Sequence, residues 1–397
     1  MPTDYEQLTQ KGTAVFLTKR GEGVCDRVIT VHPAASCTRI LDLSPWHRLY
    51  EFSETDLPIV DRLRYMRFIH HLLHLVKVVF KMVRIIDLEK LECVRATDPV
   101  MSGFLAWLVT RIRRIPFCIS IHADYEKCFE LDPIRGAPTL LGSRALARRV
   151  ETFTLQRADV VMPIRESLAK TLDVKGVLPN RIRVIPHGID LSAFEQDSDG
   201  HVREELGIPK RTHILSFVGR LSKENYVYDM VQLAIGLRKI RSDFVIVAAG
   251  NGVERFSLDA LIAKHDLAPS ILLLGPRPYH YVVSLRLESA ISLCLMGGFS
   301  LIEACAAGHP VIAYDVEWHS ELVTSGETGA LVKEGHVQGL VDAVCYLLDH
   351  PADSETMGKR AKALDFARHD VHKTSILKRE CYEALIKGFA QPPTKSQ

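Results

Sequence analysis

The 397-residue sequence lacks several features that would have narrowed its class at once. It has no excess of one charge: 50 Lys and Arg stand against 48 Asp and Glu, a formal net charge of +2. Nothing in that balance asks for nucleic acid as a partner. It has no cysteine pairs: the nine cysteines are scattered and none falls in a C-x-x-C spacing, so neither a zinc site nor a disulfide framework is indicated. Several lie in apolar runs, where a reduced, buried thiol is the default. It has no uninterrupted apolar stretch of the roughly 18–20 residues a spanning helix needs. The polar start, MPTDYEQLTQKG, lacks the basic-then-apolar layout of a signal peptide. A cytoplasmic location is expected. What is present is ordinary for a globular chain: 47% hydrophobic and 25% charged residues, and enough length for two domains with a core each.

Residues 4–10 read as the tail of a helix stopped by Gly12, followed by strands at 13–18 (TAVFLT) and 27–31. The segment 61–86, DRLRYMRFIHHLLHLVKVVFKMVRII, repeats apolar residues at helical spacing and carries six basic residues against Asp61. Two readings stand. One is a basic amphipathic surface that meets anionic lipid or a lipid-linked substrate, peripheral on the inner membrane surface. The other, favoured by the width of the apolar face, is a long helix packed on a sheet.

Strands then alternate with helices: 91–96, 117–121, 159–163 and 182–186 as strands, 100–113, 141–158 and 164–171 as helices. That alternation predicts a parallel sheet covered on both faces. Ligands of such sheets bind at the carboxyl ends of strands, which is where His122 and Asp124 fall. A histidine there is more often structural than chemical, but Asp124 beside it can orient an imidazole.

The stretch 195–212, EQDSDGHVREELGIPKRT, turns polar and reads as a linker. The expected organisation is a first domain over 1–194, a second over 213–370, a C-terminal helix over 371–390 returning to the first, and a tail over 391–397. In the second domain, strands at 214–218, 244–248, 271–274 and 291–295 each run toward glycine. Gly250-Asn251-Gly252 starts like a dinucleotide fingerprint but has Arg255 where the last glycine belongs, so it reads as a turn. Residues 296–323 look like a Gly-rich turn feeding a helix, with Ser300 as N-cap and Glu303 completing a capping box. A helix start of this kind suits a phosphate, or serves stability alone.

Taken together and in order, His122, VIPHGIDLSAF (184–194), SFVGRLSK (216–223), AAGNG (248–252), GGFSLIEACAAGHPVIAYD (297–315) and SGETGALVKEG (325–335) resemble the retaining glycosyltransferases of family 4, of GT-B architecture. The resemblance implies two Rossmann-like parallel-sheet domains facing across a cleft. It further implies transfer of a hexose-type unit from a nucleotide-sugar donor to a glycan, lipid-linked or small-molecule acceptor, without metal or other cofactor. On the family pattern Arg220, and Lys223 near it, would hold the diphosphate. Gly298, Phe299 and Ser300 would meet phosphate and sugar, Glu303 the ribose hydroxyls, and His122 the reacting sugar.

Three departures accompany the match. The family's first glutamate, eight residues before Glu303, is Leu295 here. Its lysine, five residues after the arginine, is Asn225. The family's first strand and its Gly-rich loop are expected to be absent, since the chain opens on what reads as a helix end. These departures keep a non-catalytic sugar-nucleotide-binding protein open as the alternative.

Overall fold

The computed structural model describes residues 4–10, 21–53, 64–131, 136–140, 142–196, 198 and 200–390. The strand expected at 13–18 and the tail over 391–397 lie outside the described residues. The chain divides into two compact units, residues 1–186 with 375–397, and residues 187–374. The changeover at Pro186 falls upstream of the polar stretch 195–212. That stretch carries a short helix whose Val202 is buried in the core of the second unit.

In the first unit, helix α1 (Tyr5–Gln10) precedes strands β1 (Val28–Ala35), β2 (Arg39–Ser44) and β3 (His47–Ser53). β3 lies between the other two, parallel to β1 and antiparallel to β2. Its Glu51 carboxylate is fully buried. The backbone N–H of Tyr5 donates to it at 2.7 Å and Arg39 Nε at 2.6 Å, and His32 Nδ1 lies 2.9 Å away. Several partners around one carboxylate offset the cost of taking it out of water.

Helix α2 (Arg64–Leu88) packs Val79, Val83 and Ile86 against Leu105 and Val109 of α3 (Met101–Arg113), and Val78 and Ile85 against Tyr50 and Phe52 of β3. Its Leu73, Val76 and Phe80 are exposed. A second sheet follows, parallel and in the order β4 (Val94–Ala96), β5 (Phe117–Ile121), β6 (Val160–Pro163), with α4 (Tyr125–Leu131) and α5 (Arg144–Arg157) between β5 and β6, and α6 (Glu166–Val174) after β6. Residues 182–186, expected as a strand, form none: the backbone N–H groups of Arg183 and Ile185 bond to β6, but only one isolated bridge results. Pro186 has no N–H with which to extend the ladder.

The second unit holds the short helix α7 (His201–Glu205) and a six-stranded parallel sheet. In chain order its strands and helices are β7 (His213–Val218), α8 (Val227–Arg238), β8 (Phe244–Ala249), α9 (Arg255–Lys264), β9 (Ile271–Gly275), α10 (Tyr279–Leu287), β10 (Ile291–Cys294), α11 (Phe299–Ala306), β11 (Val311–Tyr314), β12 (Gly329–Val332), α12 (Val337–Asp349) and α13 (Pro351–His369). Helix α14 (Val371–Ala390) follows. From residue 375 it belongs to the first unit, where Leu385 packs with Cys118, Met162 and Ile185.

The spatial order is β12-β11-β10-β7-β8-β9. The chain builds outward from β7 through β8 and β9, then crosses back to lay β10 on the other side of β7. The two neighbours β7 and β10 thus form a topological switch point, and the crevice outside their carboxyl ends is where open α/β sheets take ligands.

Candidate functional site

Two loops leave the sheet at that switch point. The first follows β7 as Gly219-Arg220-Leu221. It is held from below by the turn Gly250-Asn251-Gly252: Gly219 N–H donates to Ala249 O at 3.1 Å and Leu221 N–H to Asn251 O at 3.0 Å. A Cβ on Gly250, whose φ is +147°, would sit 1.9 Å from Gly219 O, and one on Gly252 would sit 2.1 Å from Leu221 O. These glycines are therefore a close-approach turn, as the sequence indicates, and their task is to seat the Arg220 loop. Asn225, in the family's lysine position, donates from Nδ2 to Arg220 O at 2.7 Å and ties the loop from its far side. Arg220 and Lys223 are exposed. Among the described residues neither side chain makes a hydrogen bond or an ion pair.

The second loop follows β10 as Leu295 to Gly298 and enters α11. Leu295, where the family has its first glutamate, is fully buried in the sheet core. The Gly297 N–H donates to His319 Nε2 at 3.0 Å, and His319 Nδ1 lies 2.8 Å from Tyr314 O. Accepting at Nε2 leaves Nδ1 as the protonated nitrogen that donates to Tyr314. Burial lowers the imidazole pKa, which favours this neutral form.

Helix α11 starts one residue before the expected cap. Gly298 is the N-cap, with no side-chain cap. Ser300 stands inside the first turn, so the capping box is not formed. Its hydroxyl instead donates to Val218 O at 2.6 Å and accepts from Arg286 Nη2 at 2.7 Å. The tertiary partners outcompete the local one. Gly298 and Phe299 are exposed, and the Phe299 ring lies 5.2 Å, centroid to centroid, from His187. A helix start without a side-chain cap, with Gly298 and Phe299 exposed at its mouth, can take an anion.

Glu303 is one turn further along α11. Burial raises its carboxyl pKa, against the pull of Arg286. Arg286 Nη2 stands 3.6 Å from Oε2, and among the described residues neither Glu303 oxygen accepts a hydrogen bond. The carboxylate is thus not spent on capping and keeps its acceptor capacity.

Of the expected site residues, the fold brings Arg220, Lys223, Gly298, Phe299, Ser300 and Glu303 to the switch point of the second unit. His122 belongs to the first unit, exposed at the carboxyl end of β5. Asp124 accepts the Glu126 N–H at Oδ1, 3.0 Å away, and so caps α4. Sequence reasoning missed the bracing roles of Asn225 and His319 and passed over Arg286, whose one trace is that it is the only Lys or Arg in the helix YHYVVSLRL. Among the described residues no group of three or more His, Cys, Asp or Glu is placed to hold a metal ion.

Comparison with known proteins gives the family and the fold. The family model for glycosyl transferases group 1 matches residues 199–364, and that for glycosyltransferase family 4 matches residues 41–193. The chain is 26% identical over 284 residues to an alpha-D-kanosaminyltransferase of Streptomyces kanamyceticus, covering 68% of this chain and 71% of that protein. It is 28% identical over 278 residues to a D-inositol 3-phosphate glycosyltransferase of Nocardia farcinica, covering 66% of this chain and 60% of the relative. Among solved structures, Anabaena HepE in complex with UDP superposes with a TM-score of 0.65 at 19% identity, over 78% of this chain and 82% of that one. The chain belongs to the group 1 glycosyltransferases and has their GT-B architecture.

Proposed function

We propose that the protein transfers a hexose-type sugar from a nucleotide-diphosphate donor to a glycan, lipid-linked or small-molecule acceptor, with retention of configuration and without a metal ion or other cofactor. One observation carries this reading. Two basic side chains with no hydrogen bond or ion pair among the described residues, a helix start without a side-chain cap and a carboxylate that, beside Arg286, accepts no hydrogen bond there converge where β7 and β10 leave the sheet.

Arg220 and Lys223 meet the diphosphate as charge-assisted donors, and the amides of residues 298–300 add the positive end of α11. Glu303 accepts from the ribose hydroxyls. His122 supplies a polar group to the reacting sugar. In this arrangement catalysis consists of positioning the two substrates and stabilising the diphosphate as it leaves. The UDP bound by HepE and the transferase names of both relatives support a nucleotide-sugar as donor.

The test is calorimetric titration with UDP-, GDP- and ADP-sugars, followed by transfer assays with and without a chelator and by NMR of the product anomer. No binding across the panel sinks the reading. Binding without transfer or hydrolysis leaves a non-catalytic donor-binding protein.

The exposed Leu73, Val76 and Phe80 on α2, with Lys77, Lys81 and Arg84 on the same helix, support peripheral contact with an anionic leaflet. No described helix is long and apolar enough to cross a membrane. Flotation with phosphatidylserine vesicles, lost on Phe80→Glu, tests the contact. Flotation indifferent to anionic lipid counts against it.

A further inference from the structure

Beneath the second loop lies a cation with an unusual setting. Arg286, on α10, is completely buried. Its Nη2 donates to Ser300 Oγ at 2.7 Å and stands 3.6 Å from Glu303 Oε2, while Nε and Nη1 are buried with no hydrogen-bond partner among the described residues. Folding alone gives no reason for this: an ion pair in the interior is often no better than apolar residues of equal volume, and orphaned donors make it worse. Leu285, Leu287 and Val283 show that the neighbouring helix positions are filled by aliphatic side chains. The Ser300 hydroxyl carries the connection on to Val218 O, the last residue of β7. The guanidinium therefore links α10 and α11, and through Ser300 the end of the strand that leads to Arg220.

We propose that Arg286 is a positioning residue of the donor site, which keeps the partly buried Glu303 carboxylate charged and aimed while touching no ligand itself. The proposal rests on the reading of Glu303 as the ribose acceptor. Burial raises the proton affinity of this carboxyl, and Arg286 is the group that opposes it. The other titratable groups facing Glu303 are Tyr279, from α10, and Cys294, from β10. Both carry pKa values raised by burial and are neutral near neutral pH, so neither supplies a positive charge. From α13, the Asp365 carboxyl acts on Cys305 and Lys362 donates to Phe194 O.

Two measurements decide it. In the full chain labelled with ¹³C at glutamate carboxyls, the Glu303 resonance is assigned by its loss in Glu303→Gln and titrated without ligand. The carboxyl should be ionised at about pH 7, and a carboxyl still protonated there overturns the proposal without any substitution at Arg286. The second measurement is UDP and GDP affinity against pH. For whichever nucleotide the wild type binds, Arg286→Met should weaken binding on the order of tenfold near pH 7 and move the midpoint of the pH profile upward. Arg286→Lys should return the midpoint toward the wild type, and in a Glu303→Gln background Arg286→Met should have no further pH effect. A uniform loss at every pH means a purely structural role and overturns the proposal. If the wild type binds neither of these nor ADP, the donor-site reading falls and the ligand half of the proposal with it, while the carboxyl titration still decides the pairing.

Discussion

The hydroxyl of Ser300 donates to the carbonyl of Val218 across 2.6 Å, joining the first turn of α11 to the last residue of β7. These residues are separated by two complete strand-helix repeats and a further strand and helix, yet one hydrogen bond fixes the distance between the two loops that carry Arg220 and Gly298. Removing it should loosen both. Ser300→Ala orphans the Val218 carbonyl and takes an acceptor from Arg286, and should cost about 1–3 kcal/mol, slightly offset by the better helix propensity of alanine. Urea unfolding checks this, as a lower midpoint with an unchanged slope.

Arg220 should act on the phosphates and on nothing else in the donor. Arg220→Ala is expected to weaken UDP, or whichever nucleoside diphosphate binds, by about 1.5–3 kcal/mol, the range for a hydrogen bond to a charged group. Binding of the bare nucleoside should be unchanged, and stability nearly so, because Arg220 is exposed and makes no hydrogen bond or ion pair among the described residues. Calorimetry with the nucleoside and its diphosphate separates the two outcomes.

Glu303→Ala should cost the nucleotide roughly 2–4 kcal/mol, one or two charge-assisted hydrogen bonds to ribose. The 2′,3′-dideoxy nucleotide should bind wild type and variant alike. Equal loss for both ligands would move Glu303 out of contact with the sugar ring.

Asp365, on α13, is fully buried with neither carboxyl oxygen hydrogen-bonded among the described residues, and burial raises its pKa to about 8. The folded protein therefore holds a proton that the unfolded chain releases near its ordinary value of 3.8. A raised carboxyl pKa makes the native state the better proton binder between these two values. Its contribution is complete below about pH 4 and is lost as pH rises to about 8, at roughly 1.4 kcal/mol per unit. Asp365→Asn should remove that slope and gain on the wild type steadily between pH 5 and 8. Denaturation midpoints at several pH values read it out.

Much of the second unit was legible because its strands are short aliphatic runs that end on or just before a glycine, as at Gly219, Gly250 and Gly275. Local chemistry decides both the run and its end. The failures are of another kind. β2 and β3 mix apolar residues with Arg39, Arg48 and Glu51, whose partners sit on other strands and in α1. Ser300 and Glu303 match a capping box residue for residue, yet the serine bonds to a strand and to a buried arginine instead. Asn225 and His319 act on backbone groups of loops that the sequence shows only as loops. The positions of Arg220, Gly298 and Glu303 were legible from the order of fragments. What holds them was not, because each brace is a contact made only in the folded chain.

The strand order also sets a sequence of events for a chain emerging from the ribosome. β7, β8 and β9 can pair as soon as residue 275 is available, but the flank of β7 that later receives β10 stays open until residues 291–294 arrive. In that interval HILSFV is a bare, apolar sheet edge, the kind of template on which nascent chains stick to one another. Sealing that edge is the same event that brings Val218 to Ser300.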